Sequence, residues 1–190
     1  RTQLGDINAK RDVFYTTASQ IEDIQDPGEM RQTLRQKVRE KTPSDNLIKQ
    51  TLIDKDMNIH SGWRYRVRLY LASIEEYRDS SKLVRLDNID IEHIAPRKTF
   101  KKDRYYQWRR KFDKEEFMNH RRKLGNLTLL KENEHKDLDE TSFGDKMNTY
   151  RNTSQIITKE ITKYNNWDAE AIRSRTERMA EDLVERWSIP

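Results

Sequence analysis

Of the four histidines in the chain, His93 and His135 flank an asparagine-bearing segment in a pattern suited to hydrolytic chemistry. Residues 90–96 read DIEHIAP, 124–130 read LGNLTLL and 131–135 read KENEH. Ile89, Ile91 and His93 alternate with Asp90 and Glu92, which predicts a strand that Pro96 ends. Gly125-Asn126 precedes a short apolar strand over 127–130, and the chain turns helical from Lys131. A β-hairpin backed by a helix would place a histidine, an asparagine and a further polar residue at one spot. Hydrolysis of a phosphodiester needs such a set: a base to activate water, a cation to absorb developing charge, and groups that hold the phosphate in line.

His93 is the candidate base, because a neutral imidazole has its ordinary pKa near operating pH. The competing reading is a half-buried strand histidine satisfied by a neighbour. Glu92 is a candidate metal ligand. Strict strand alternation turns it away from His93, so that role requires a twist, a bulge or an edge-on approach of both residues; otherwise it is a surface carboxylate. Asn126 is suited to bonding the backbone near His93 and fixing the site's shape, and it is equally suited to a simple turn. Asn133 and His135 both contend for the third position, against a solvent-facing first helical turn. Order and context carry the reading, not any one residue. His60, alone in a loop, reads as incidental.

The surrounding charge fits a polyanionic partner. The chain carries 38 Lys+Arg and 33 Asp+Glu, a net of +5. From Arg97 to Lys123 there are twelve Lys/Arg against four acids, a net of +8, so the remainder carries −3. Arg97, Lys98, Lys101, Lys102, Arg109, Arg110, Arg121, Arg122 and Lys123 are the candidate contacts to phosphate, without sequence readout. A solvated basic surface is the plain alternative. Tyr105, Trp108 and Phe112 within this block either stack on unpaired bases or form the buried face of a helix; spacing of three and four favours burial. With no cysteine, disulfides, thiol nucleophiles and cysteine-ligated zinc are excluded. No apolar run reaches membrane-helix length, no signal peptide is visible, and a cytoplasmic setting is expected.

The remaining elements must position these residues. Helices are expected over 1–26 (Phe14, Ala18, Ile21), around Met30, Leu34 and Val38, and, capped by Ser44, around Leu47 to Leu52. A longer helix is expected from Trp63 to Arg78, with Val67, Tyr70, Leu71 and Ile74 on its face. Leu83–Leu86 and Ile89–Ile94 read as two short strands joined by Asp87-Asn88. Phe143, Met147 and Tyr150, then Ile156, Ile157 and Ile161, mark two helical faces. Asp168 is placed to cap a last helix striped by Ile172, Met179, Leu183 and Trp187. The expected class is a mostly helical α+β fold. Residues 1–80 read as a helical platform, 81–140 as the hairpin-and-helix core, and 141–190 as helices closing the same domain.

EHIAP, GNLTLL, the run Phe143-Gly-Asp-Lys146, Trp167 with Ile172 and Arg175, and Trp187 together resemble the C-terminal HNH nuclease domain of GmrSD-type modification-dependent restriction proteins. Similar domains occur in phosphorothioation-sensing defence nucleases. The likeness covers roughly residues 45–190. It implies a ββα-metal core, a divalent metal and nicking or cleavage of DNA in a bacterial defence system. Mg²⁺ or Mn²⁺ is the expected ion, with Zn²⁺ or Ni²⁺ as alternatives. By this resemblance His93 falls on the family's base and Asn126 on its central asparagine. The family's third residue follows that asparagine by nine and precedes the phenylalanine by eight, which is His135; relatives often have Asn there, and Asn133 is the fallback. An imidazole tolerates softer ions better than a carboxamide does. The resemblance also implies an N-terminal nucleotide-binding sensor. No phosphate-cradling glycine loop occurs among the five glycines, and the chain begins at Arg1, so that sensor is expected in upstream sequence. Three alternatives stand beside this reading: a nucleic-acid-binding module with a non-catalytic HNH core, a helical interaction domain for an acidic protein, and a ribonuclease.

Overall fold

Helices striped with apolar residues make up most of the described residues, and a short hairpin interrupts them. The computed structural model describes residues 15–60, 62–135, 138 and 141–188. The chain divides into two compact units, Arg1–Ile48 with Ser188–Pro190, and Lys49–Trp187.

Of the helix expected over 1–26, residues 15–21 in the first unit are helical, 22–26 are not, and 1–14 lie outside the described residues. Helix α1 (Pro27–Lys41) starts with proline at its first turn and Asp26 as its cap, Oδ2 accepting from Glu29 N–H at 2.6 Å. No residue of α1 is buried. Ser44 Oγ accepts from Leu47 N–H (3.3 Å) and opens α2 (Asp45–Asp54), as its position suggested.

The second unit holds the hairpin. Helix α3 (Trp63–Arg78) buries Val67, Leu71, Ile74 and Glu75. The helical segment before residue 80 is thus divided, with α3 belonging to the unit that contains the candidate site. Strand β1 (Ile89–His93) pairs antiparallel with β2 (Leu127–Lys131), with Glu92 opposite Thr128 and His93 opposite Leu127. The expected partner strand at 83–86 does not form. Residues 83–85 are irregular and Leu86–Asn88 is a 3₁₀ turn. The physical reason is burial: Leu83 is 83% exposed, whereas Leu127, Leu129 and Leu130 are fully buried, so pairing with β2 removes far more apolar surface from water.

Beyond β1 come α4 (Tyr106–Arg109) and α5 (Lys114–His120), two short helices where the aromatic spacing suggested one. Asp113 interrupts them by capping α5, its Oδ1 accepting from Glu115 and Glu116 N–H. Tyr105, Trp108 and Phe112 are buried in the core with Ile94, Phe117, Phe143, Met147, Tyr150, Trp167 and Ile172, so they are not base-stacking groups. After β2 follow α6 (Glu132–His135), α7 (Phe143–Asn152), α8 (Ile156–Lys159) and α9 (Ala169–Trp187). Ser142 and Asp145 form a reciprocal capping box on α7. Asp168 Oδ1 accepts from Ala171 N–H (2.9 Å), the expected cap of α9. Ile172, Met179 and Leu183 are buried, while Trp187 stays 43% exposed with its edge on Tyr70. The fold is mostly helical α+β, with one two-stranded antiparallel sheet among the described residues. No helix among the described residues is long and apolar enough to cross a membrane.

Candidate active site

The hairpin end carrying His93 is set by Asn126. Its side chain is fully buried and spans Ala95, two residues beyond His93. Nδ2 donates to Ala95 O (3.0 Å) and Arg121 O (3.0 Å), while Oδ1 accepts from Ala95 N–H (2.9 Å) and Trp167 Nε1–H (3.2 Å). The carboxamide therefore imitates one more residue of β-pairing beyond the strand's end, and Ile94 N–H donates to Asn126 O (3.0 Å) beside it. All four side-chain bonding positions are used, as burial of an amide demands.

Helix α9 holds Asn126 in place. Gly125 N–H donates to Thr176 Oγ1 (3.0 Å), and the buried Arg175 guanidinium donates to Gly125 O (2.6 Å), Leu127 O (2.7 Å) and Ile157 O (3.0 Å). A Cβ on Gly125 would collide with the α9 backbone at Ile172 O and Thr176 N, so only glycine permits this approach. Glu75, buried on α3, accepts from Ile156 N–H (2.7 Å) and Ile157 N–H (2.9 Å) at the start of α8. Thr158 of α8 in turn donates to Leu129 O of β2 (2.5 Å).

On the 90/92 face of β1 a charged cluster forms. Glu92 is 1% exposed. Its Oε2 lies 3.0 Å from His135 Nε2, and its Oε1 accepts from Lys146 Nζ (2.5 Å), with Tyr150 OH at 3.5 Å. Lys146 Nζ also donates to His93 O (2.9 Å). His135 Nδ1 is 4.0 Å from Asp90 Oδ2, and Asp90 is paired with Arg64. Burial pushes the Glu92 carboxyl up, but Lys146 and His135 outweigh it and hold Glu92 below the usual carboxylate range. The hydrogen bond that His135 donates to Glu92 raises His135 above the ordinary histidine value against the opposing effect of burial.

Of the expected site residues, the structure brings Glu92 and His135 into direct contact. Asn133 is exposed on α6, and no hydrogen bond joins it to this cluster among the described contacts. His93 is half-buried at the end of β1. The register runs unbroken through it, so alternation directs its ring to the face opposite Glu92. Its link to the cluster is through the backbone, where Lys146 bonds its carbonyl. The basic residues separate into two groups. Lys98, Lys101, Lys102 and Arg110 are exposed. Arg109 pairs with Asp103 (3.2 Å), and Arg122 and Lys123 lie near Asp56 (3.9 and 3.6 Å). Arg97 Nη1 donates to His60 Nε2 (2.5 Å), and Arg121 donates to Arg97 O (3.4 Å), beside the Asn126 clamp.

Lys146 is the residue whose role at this site the sequence reading left unassigned. Its signal was present: it lies among Phe143, Met147 and Tyr150 at helical spacing, a charge inside an apolar stripe. Arg175 and Thr176 sit in the α9 stripe in the same way.

The donor set bears on the implied metal. Among the described residues no group of three or more His, Asp or Glu is arranged to hold an ion. The contact between Glu92 and His135 nevertheless fits two protein ligands of an octahedral ion, since neighbouring ligands about 2.1 Å from such an ion stand about 3 Å apart. Mg²⁺ and Mn²⁺ sites commonly use so few protein ligands, with water and substrate phosphate completing the shell.

An antiparallel hairpin followed by a short helix, clamped by an asparagine and carrying a carboxylate–imidazole pair, defines a ββα site on a helical scaffold. Residues 42–182, well over half of the chain, match the family model of the GmrSD restriction endonucleases, C-terminal domain. The chain belongs to that family and is a nuclease of the restriction-endonuclease type. No curated protein matches the chain.

Proposed function

We propose that this domain is an HNH-type, divalent-metal-dependent DNA endonuclease, nicking or cleaving in a bacterial anti-phage or restriction system. The observation that carries the reading is the Glu92–His135 pair, with Oε2 and Nε2 3.0 Å apart, on a hairpin whose end is shaped by the Asn126 clamp. Glu92 Oε2 and His135 Nε2 would hold the ion, Mg²⁺ or Mn²⁺ being the best fit, and Asn133 is the fallback ligand. When bound, such an ion supplies charge neutralisation at the phosphate and the leaving oxygen.

His93 accepts the proton of the attacking water on its imidazole nitrogen. Asn126 fixes the backbone that carries His93 without touching substrate. Arg97, Lys98, Lys101, Lys102, Arg109, Arg110 and Arg121 bind backbone phosphates, and Arg122 and Lys123 do so less, being near Asp56. The scissile phosphate lies across the edge of the hairpin, because His93 and Glu92 point to opposite faces of β1. In the longer protein an N-terminal nucleotide-dependent sensor chooses which DNA this domain meets.

The test is relaxation of supercoiled plasmid with Mg²⁺ or Mn²⁺ against EDTA, for the parent and Glu92→Gln. Metal-dependent cutting lost in the variant is expected. Cutting unaffected by EDTA overturns the metal reading. One observation favours a second reading, a nucleic-acid-binding module with a non-catalytic core: Glu92 is buried and paired with a buried lysine, as a structural carboxylate would be. Retardation of DNA without any cutting by the parent protein would support it.

A further inference from the structure

Lys146 is a buried charged group that the chemistry above leaves unused. It is fully buried, its ammonium lies 5.7 Å from the Trp108 ring centroid, and it bonds Glu92 Oε1 and the His93 carbonyl. Desolvating an ammonium is costly enough that it persists inside a protein only when well paired. Both of its partners belong to the strand end carrying the candidate base and the candidate ligand. We propose that Lys146 is a positioning residue that confines Glu92 to one-oxygen ligation and cancels its charge, so that the divalent ion binds firmly only when DNA phosphate is present. The inference rests on the reading of Glu92 and His135 as the ion's ligands.

The geometry supports it oxygen by oxygen. Glu92 Oε1 is engaged by Lys146, with Tyr150 OH behind it, which leaves Oε2 beside His135 Nε2 for an ion. The nearby Asp90 is committed to Arg64. A neutral imidazole, a carboxylate matched by an ammonium and an aspartate matched by a guanidinium offer a divalent ion almost no net negative charge. Affinity of oxygen-rich sites for such ions rises with ligand charge. A phosphodiester brings the missing charge and one or two oxygens. By linkage, DNA then tightens the ion and the ion tightens DNA by the same factor. A free domain stays largely unloaded.

The experiment reads Mn²⁺ affinity by electron paramagnetic resonance of the unbound ion, with circular dichroism confirming fold. Without DNA, Lys146→Gln, which keeps a hydrogen-bond donor and removes the charge, should bind Mn²⁺ at least roughly tenfold more tightly than the parent, as relief of Coulomb repulsion at a few ångströms predicts. Lys146→Met should do the same. A merely structural lysine would, when lost, weaken the site, so the direction of change is decisive; unchanged or weaker binding overturns the inference. Adding Glu92→Gln to Lys146→Gln should cancel the gain. A gain that survives means the ion sits elsewhere, and the ligand reading fails instead. The second measurement needs no Lys146 variant. His93→Ala protein, which leaves DNA intact, should bind Mn²⁺ at least roughly tenfold more tightly with a duplex than without. Equal affinity in both conditions also overturns the inference.

Discussion

His93 and His135 are separated by their surroundings, and each supports its own prediction. His93 sits half-buried at the hairpin's end, where the Asn126 clamp fixes its backbone, so His93→Ala removes the proposed base without removing a support. Plasmid cleavage should fall about 10²–10⁴-fold, the usual worth of general-base catalysis, while gel-shift affinity for DNA is retained. An alanine variant that cuts at the parent's rate disproves the assignment. His135 carries a pH prediction for the metal-free protein. Its folded-state pKa is raised above 6.5, chiefly by the bond to Glu92. The protonated form therefore stabilises the fold. That contribution is fully present below the unfolded value and is lost as pH rises through the folded one. In EDTA, melting temperature should drop more for the parent than for His135→Gln as pH rises from 6.5 through the raised folded-state value. Parallel profiles would show that the Glu92–His135 bond is not made in solution.

At the scale of elements, the hairpin is the product of contacts made far along the chain. Helix α9 grips the Leu124–Asn126 turn through Thr176 and Arg175, and the gap between them admits only glycine at 125. Gly125→Ala should cost about 3 kcal/mol, because the obstructing atoms are backbone that cannot rotate away. Urea denaturation measures this, and a loss below about 0.5 kcal/mol would mean that α9 sits further from the turn. Most elements were legible from periodicity and punctuation: α1 from Met30, Leu34 and Val38, α2 from Ser44, α3 from its apolar stripe, α7 and α9 likewise. The strand at 83–86 was not. An apolar–polar run there resembles a strand locally, yet β1 pairs with a segment 38 positions away because the leucines of that partner are fully buried. Local pattern carries no information about which partner buries more surface.

For the molecule as a whole, the proposed DNA contact makes charge distribution the quantity to test. The block from Arg97 to Lys123 holds a net +8 within a chain of net +5. DNA affinity should fall steeply with salt, and each phosphate contact removed should flatten the slope of log K against log salt by about 0.9. Arg97→Ala and Lys101→Ala are expected to do so, whereas Lys123→Ala, near Asp56 and bonded to the Asp54 carbonyl, should change the slope little. Fluorescence titration over a range of salt concentrations checks this; a slope unmoved by Arg97→Ala removes it from the interface.

The residue types and their order were enough to single out 93, 126 and, for a third place, 133 or 135 as candidates and to point to one family, because chemistry and strand punctuation are written locally. Three-dimensional packing alone decided the rest. It chose His135 over Asn133 as the neighbour of Glu92, buried Glu92 against Lys146, and assigned the aromatic residues of the basic block to the core. Each of these depends on which surfaces meet after the chain has closed on itself, and burial of charge and of apolar area is a property of that closure.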